Sequence, residues 1–255
     1  MLSLNFKKSG TGPPLIILHG LFGMLDNWQS IANKLEAHYT VYLVDQRNHG
    51  RSPHHPSHTY PDLAEDIVHM MNHELLKEAF FIGHSMGGKT VMQLALEFPE
   101  RVQKAIVVDI GPQGYPSGHD EIFEALFSID LDQVHYRSDA EKVLLDKIQD
   151  FGVRQFLLKN MYRNTDGTYA WRMNLQALYD QYAHIRGPVE GLRSDCPMLF
   201  VRGGNSNYIS DSDWLSMQSM FPNAKLATIE GAGHWVHADH PDALYEVMHN
   251  YLQDA

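Results

Sequence analysis

The stretch Phe80–Gly88 restricts most strongly what this chain can fold into. Its sequence, Phe-Phe-Ile-Gly-His-Ser-Met-Gly-Gly, indicates an apolar strand, a sharp turn and a helix that continues from Lys89 to about Phe98. The turn has the form Gly-x-Ser-x-Gly, centred on Ser85, and its strained backbone leaves room only for small residues two positions before and after the serine. The pattern predicts a nucleophilic serine held above a sheet. The alternative is a serine that only caps the helix.

Composition and charge narrow the class of partner. Of the 255 residues, 44% are hydrophobic and 20% charged, and 31 acidic against 20 basic residues give a net charge of −11. This balance argues against nucleic acid or an anionic membrane surface as a partner. No stretch approaches the roughly 18 apolar residues of a membrane span, and the first residues lack a signal-peptide pattern. The single Cys196 rules out an internal disulfide and suits a reducing compartment, so we expect a cytoplasmic protein. We expect it to be a monomer or small homo-oligomer.

Apolar runs that alternate with helical segments indicate the fold class. Leu15–His19, Thr40–Asp45 and Lys104–Ile110 have the nearly continuous apolar pattern of strands covered on both faces. We therefore predict an α/β fold with a mostly parallel central sheet flanked by helices. In such sheets ligands bind at the carboxyl ends of the strands, where Ser85 and Asp109 both fall.

The segment 114–193 departs from this alternation. It shows helical patterns and no convincing strand, so we predict a helical cap inserted into a core domain formed by 1–113 and 194–255. Aromatic residues of the cap, and of loops that would face it, are candidates for lining a substrate pocket. These candidates are Phe22, Phe123, Phe127, Trp171, Tyr179, Tyr208 and Trp235.

A nucleophilic serine needs a base within hydrogen-bond reach and an acceptor that orients this base. His234 lies in the loop Gly-Ala-Gly-His directly after the last predicted strand, where the glycines would let its imidazole reach Ser85. His237 and His240 follow at three-residue intervals, so a metal site is an alternative. A second histidine cluster occurs at 54, 55 and 58. Neither cluster has the spacing of a metal site with a carboxylate partner, so we predict no metal.

The sequence resembles the α/β-hydrolases with a helical cap. His19–Gly23, Asp45–Ser52, Gly83–Gly88 and Gly231–His234 match blocks of that family in order, across nearly the whole chain. More closely, the chain is similar to small bacterial esterases of the YbfF type, which share the motifs His-Gly-Leu-Phe-Gly, Arg-Asn-His-Gly and Gly-Gly-Asn-Ser. The resemblance implies the α/β-hydrolase fold and a serine esterase that needs no cofactor.

The chain departs from the family at the position of the acid. Most members place the acid after the strand that here is Pro197–Arg202, where this chain has Ser206. A neutral hydroxyl cannot stabilise an imidazolium as a carboxylate does. Asp109 is our candidate, because it ends the neighbouring strand and the YbfF-type enzymes are similar in placing the acid there. Asp211 and Asp213 are the alternatives.

Roles for the site residues follow from this arrangement. Ser85 would attack an acyl carbonyl, His234 would take its proton and Asp109 would orient His234. The backbone N–H groups of Met86 and Leu21 would hold the oxyanion, and Phe22 is the alternative to Leu21.

These roles predict a carboxylesterase for short- to medium-chain acyl esters, with acyl thioesters as a second substrate class. The alternatives are a cofactor-free C–C hydrolase or perhydrolase, or a non-catalytic ligand-binding protein of the same fold.

Overall fold

A central sheet of seven strands organises the chain. The structure, a computed structural model, describes residues 1–254. The strands in chain order are β1 (Phe6–Ser9), β2 (Pro14–Leu18), β3 (Thr40–Val44), β4 (Ala79–His84), β5 (Val102–Val108), β6 (Met161–Arg163), β7 (Tyr169–Trp171), β8 (Met198–Gly203) and β9 (Ala224–Ile229). The central sheet has the order β1-β3-β2-β4-β5-β8-β9 and is parallel except for the edge strand β1. The predicted fold class is therefore confirmed.

Helices follow most of the strands. The helices are α1 (Gln29–Leu35), α2 (Tyr60–His73), α3 (Met86–Glu97), α4 (Asp120–Phe127), α5 (Arg137–Leu145), α6 (Phe151–Leu158), α7 (Leu175–Asp180), α8 (Tyr182–Ile185), α9 (Asp211–Met220), α10 (Val236–Asp239) and α11 (Pro241–Gln253). Short 3₁₀ turns occur at Leu25–Trp28, Pro99–Arg101 and Leu131–Gln133. Strand β4, which leads into Ser85, lies in the middle of the sheet, so its carboxyl end is bordered by β2 and β5.

Each face of the sheet carries its own apolar layer. Ile16 and Leu18 of β2 pack with helices α2, α3 and α9 on one face, and Leu15 and Ile17 pack with α1 and α11 on the other. Successive side chains of a strand point to opposite faces, and both faces are covered here. The inner strands are therefore apolar over most of their length, which is the pattern visible in the sequence.

The insertion between β5 and β8 forms a third apolar cluster over the carboxyl ends of the strands. It contains α4 to α8 and the two-stranded hairpin of β6 and β7. The expectation that the insertion has no strand was wrong, because strands of three residues are too short to show an alternating pattern. The turn dipeptide Asp166-Gly167, with Gly167 at a φ of 93°, was the signal that could have indicated the hairpin. The cap boundaries at 114 and 193 stay a prediction.

Among residues 1–254, none of the helices combines the length and the apolar character that crossing a bilayer requires.

Candidate active site

Ser85 lies at a strained corner between β4 and α3. Its backbone has φ 52° and ψ −120°, a conformation that costs a non-glycine residue of the order of 1–3 kcal/mol. A Cβ atom on Gly83 would lie 2.3 Å from the carbonyl oxygen of Gly87, and one on Gly87 would lie 2.5 Å from that of Leu18. The crossing of backbones at these two positions therefore requires glycine.

Three side chains from distant parts of the sequence form a hydrogen-bonded line. The Ser85 Oγ atom lies 3.0 Å from Nε2 of His234, and Nδ1 of His234 lies 2.8 Å from Oδ2 of Asp109. Because a carboxylate only accepts hydrogen bonds, His234 carries its proton on Nδ1 and presents a basic Nε2 to the serine. The structure thus brings together the three residues that the sequence singled out, in the order needed to remove a proton from Ser85.

Asp109 is completely buried at the end of β5. Its backbone has a φ of 52°, which turns the chain at the end of the strand. The carboxylate also accepts hydrogen bonds from the backbone N–H of Gly203 (2.9 Å) and the hydroxyl of Ser206 (2.5 Å). The alternative acids are engaged elsewhere, since Asp211 pairs with Arg202 and Asp213 binds Ser210 at the start of α9.

Two neighbours fix the position of His234. The ring of Tyr208 stacks on the imidazole, with centroids 3.9 Å apart and planes 20° apart. His84 Nε2 donates to the backbone carbonyl of His234 at 2.9 Å. Burial holds the pKa of His84 well below its usual value, so this ring is neutral near pH 7. The His84 bond therefore positions the loop that carries His234 without placing a second positive charge beside it.

Two backbone N–H groups are free to bind a negative charge at this site. The N–H of Phe22 donates to Nε2 of His49 at 3.2 Å. Within residues 1–254, the N–H groups of Leu21 and Met86 have no protein acceptor. Leu21 lies in the tight turn closed by the bond from Gly23 N to Gly20 O (3.0 Å), and Met86 is the first residue of α3. This difference favours Leu21 over Phe22 as a donor.

Two cavities meet at Ser85. Both are lined by Leu21, Ser85 and His119. The first cavity has a volume of about 530 Å³ including its mouth and is lined further by Ile122, Val153, Phe156, Leu157, His234 and Trp235. The second cavity measures about 440 Å³ by the same definition and is lined further by Tyr60, Lys89, Ile110, Tyr115, Tyr182 and Tyr208. Cap residues line both cavities, so the insertion closes the site from above.

The aromatic residues predicted to line the pocket separate into two groups. Phe22 and Trp235 line the first cavity, and Tyr208 lines the second. The other four line neither cavity, and they pack within the cap or are exposed at its surface. These residues are Phe123, Phe127, Trp171 and Tyr179. Periodicity identified the helices of the cap but not the helix face turned toward the core.

Sequence reasoning missed Lys89 and His119. Lys89 follows Ser85 by four residues, so helical spacing could have placed it beside the serine. It is 1% exposed, and its Nζ donates to the carbonyl oxygens of Gln113 (2.7 Å) and Gly187. Burial lowers its pKa to about 7. His119 precedes α4, in a segment whose sequence carries no signal of a functional residue.

The histidines considered as metal ligands have other contacts. Nε2 of His54 donates to the carbonyl of Arg172 (2.8 Å), whereas His58 is buried with Nε2 3.3 Å from the sulfur of Met86. The ring of His237 stacks on Trp28 with centroids 4.8 Å apart. Among residues 1–254, no group of three His, Cys, Asp or Glu side chains is arranged to hold a metal ion.

Comparison with known proteins gives matches over nearly the whole chain. A family model described as alpha/beta hydrolase fold matches residues 13–241. The chain is 41% identical to esterase YbfF of Escherichia coli over 94% of this chain and 93% of that protein. It is 37% identical to the mouse sn-1-specific diacylglycerol lipase ABHD11, over 98% and 85% of the two chains. A solved structure described as a marine microorganism esterase is 42% identical, with a TM-score of 0.97 and coverage of 98% and 100%.

Proposed function

The chain is an esterase of the α/β-hydrolase family, and on this premise we propose that it hydrolyses short- to medium-chain acyl esters through an acyl-enzyme on Ser85. The observation that carries the proposal is the line of hydrogen bonds from Ser85 Oγ through His234 to Asp109, with lengths of 3.0 and 2.8 Å. A serine hydroxyl is a weak nucleophile at neutral pH unless a base accepts its proton. His234 is in position to accept it.

In the first step the Ser85 Oγ atom bonds to the carbonyl carbon of the ester while its proton moves to His234 Nε2. The carbonyl oxygen becomes an oxyanion and accepts hydrogen bonds from the N–H groups of Leu21 and Met86. Asp109 stabilises the imidazolium that forms. His234 then gives the proton to the alkoxide as the carbon–oxygen bond breaks, and the alcohol leaves.

In the second step water takes the place of the alcohol. The water oxygen bonds to the acyl carbon while His234 accepts a proton from the water. His234 then returns this proton to Ser85 Oγ as the acyl–serine bond breaks. The products are the carboxylic acid and the free enzyme. Every proton in the cycle passes through His234, so the mechanism requires no metal or organic cofactor.

The two cavities give each half of the ester a place. His234 must protonate the leaving oxygen, and it lines only the first cavity, so the alcohol belongs there. The acyl group then extends into the second cavity, between the rings of Tyr60, Tyr115 and Tyr182. In each cavity, the volume open to the centre of a water-sized sphere is only about 50 Å³. This size favours short and medium acyl chains. A thiol leaving group would occupy the same cavity as an alcohol.

A phosphonate probe and a graded substrate series test the proposal together. We expect a fluorophosphonate to label wild-type protein at Ser85, as located by mass spectrometry of peptides, and to leave Ser85→Ala unlabelled. With p-nitrophenyl esters and acyl thioesters of increasing chain length, turnover should be highest for short to medium acyl groups and absent in Ser85→Ala.

Ser206→Ala serves as the matched serine control, because it leaves the Ser85–His234 pair intact and should still be labelled. Wild-type protein that is not labelled, or a Ser85→Ala variant that retains esterase activity, would refute the proposal. A preference for the longest chains would overturn only the chain-length part.

A further inference from the structure

His119 has no part in the mechanism above, although it stands where the two cavities meet. It belongs to the cap, one residue before α4, and shares the lining of both cavities only with Leu21 and Ser85. Its ring lies edge-on to Phe22, the residue after Leu21, with centroids 6.1 Å apart. His119 therefore lies beside Ser85 and Leu21 where the two cavities meet.

The hydrogen bonds of Tyr182 determine which nitrogen of His119 carries a proton. The Tyr182 hydroxyl oxygen accepts from the backbone N–H groups of Gly118 (3.2 Å) and His119 (3.1 Å). Nδ1 of His119 lies 2.8 Å from the same oxygen. A phenol has one donor and two acceptor positions. Since the two N–H groups occupy the acceptor positions, the hydroxyl must donate to Nδ1, and Nδ1 must be unprotonated.

The proton of the neutral His119 ring is therefore on Nε2. Burial, with a smaller contribution from His234, lowers the pKa of His119 to about 4, so the neutral form dominates near pH 7. Within residues 1–254, Nε2 has no hydrogen-bond partner, and the atom is not fully buried. The cap thus holds an N–H donor without a partner at the junction of the two cavities, where Ser85 also lies.

We propose that His119 is a catalytic residue whose Nε2–H group donates a hydrogen bond to the oxyanion of the tetrahedral intermediate, as a third donor beside Leu21 and Met86. This inference rests on the proposed function. His119 keeps its proton throughout, because it donates a hydrogen bond and transfers nothing. A donor aimed at developing charge lowers the barrier more than it strengthens substrate binding. The cap then contributes to catalysis as well as enclosing the substrate.

The experiment compares His119→Leu, His119→Gln and the matched cap control His135→Leu, whose side chain is exposed. With a p-nitrophenyl ester, we expect His119→Leu to lower kcat by about 10²-fold, the usual loss for one oxyanion donor, while KM stays nearly constant. Glutamine restores a side-chain N–H donor, so His119→Gln should recover at least about a tenth of the lost rate. His135→Leu should match wild type.

A second readout separates catalysis from cap packing. A trifluoromethyl ketone forms an oxyanion adduct on the serine, so its affinity should fall in His119→Leu in parallel with kcat/KM. If His119→Leu does not fold by circular dichroism, His119→Gln and Tyr182→Phe carry the test, since Tyr182→Phe removes the hydroxyl that fixes the tautomer. The inference is overturned if folded His119→Leu has the same kcat and the same affinity for the ketone as wild type. It is also overturned if the substitution changes only KM. Wild-type protein without activity or labelling would instead show that the proposed function had failed.

Discussion

The hydroxyl of Ser206 donates a hydrogen bond of 2.5 Å to Oδ2 of Asp109, and the same oxygen accepts a hydrogen bond from Nδ1–H of His234. Ser206 follows β8, after which the resemblance to the α/β-hydrolases led us to expect an acid. Here the carboxylate comes from the end of the neighbouring strand β5, and the serine contributes a hydrogen bond to it. Two adjacent strand ends thus bring one carboxylate and one hydroxyl together, and the carboxylate contacts the imidazole.

Asp109→Asn should be far more damaging than Ser206→Ala. The amide can hold the ring of His234 in the wrong tautomer and cannot balance the imidazolium, so we expect kcat to fall by about 10⁴-fold, the loss known for this change in a serine triad. Ser206→Ala removes one of three hydrogen bonds to a carboxylate that stays in place, and we expect a loss of about tenfold or less. Steady-state kinetics on a p-nitrophenyl ester measure both effects.

Asp211→Asn is the control, since this carboxylate pairs with Arg202 and should leave kcat unchanged. The double variant Asp109→Asn/Ser206→Asp returns a carboxylate to the other strand end, at a position whose side chain contacts residue 109, and should regain part of the activity lost in Asp109→Asn. If kcat fell more in Ser206→Ala or Asp211→Asn than in Asp109→Asn, the assignment of Asp109 as the acid would be wrong.

Gly83→Ala should destabilise the fold strongly. The new methyl carbon would lie 2.3 Å from the carbonyl oxygen of Gly87, and both atoms are fixed by the central strand and the following helix. We expect a loss of about 3 kcal/mol or more in the free energy of unfolding, from overpacking of backbone against backbone. Chemical denaturation monitored by tryptophan fluorescence measures this loss.

Gly118→Ala is the matched control, because a Cβ atom there has no neighbour within 4 Å. Its free energy of unfolding should stay within about 0.5 kcal/mol of wild type, the usual range for exposed positions. Equal stability of the two variants would contradict the crossing of backbones described for the turn.

The buried amine of Lys89 should make stability depend on pH. Its pKa in the folded protein is lowered to about 7 by burial, against 10.5 for the unconstrained side chain. Between these values the unfolded chain binds more protons than the folded one, so stability rises with pH across this window and is lowest below it. A neutral amine still has two N–H groups for the carbonyls of Gln113 and Gly187.

Lys89→Met removes this titration. The difference in free energy of unfolding between wild type and Lys89→Met should therefore shift in favour of wild type as pH rises from about 7 to about 10. Denaturation curves of both proteins across this range test the shift, and Lys142→Met, at an exposed cap position, should show no such trend. A difference that is constant with pH would contradict a lowered pKa for Lys89.

Local sequence was enough to predict the turn at Ser85 and the class of fold. The strain at the serine and the contacts of Gly83 and Gly87 arise within a few residues, so the motif carries them directly. The apolar strands are covered on both faces, which makes their pattern visible without a structure. The hairpin of β6 and β7 was missed because its strands are too short for a pattern to emerge.

The sequence by itself determined that a serine stands at a strained corner of a parallel sheet, and it offered His234 and Asp109 as partners. Only the tertiary structure decided that these side chains meet, because 149 residues separate Ser85 from His234 and 125 separate His234 from Asp109. It also decided that Ser206 donates a hydrogen bond to Asp109, that Leu21 rather than Phe22 has a free N–H, and that His119 lines both cavities beside Ser85. Contacts of this kind depend on strand order and on which face of the cap packs inward, and neither is encoded in a local pattern.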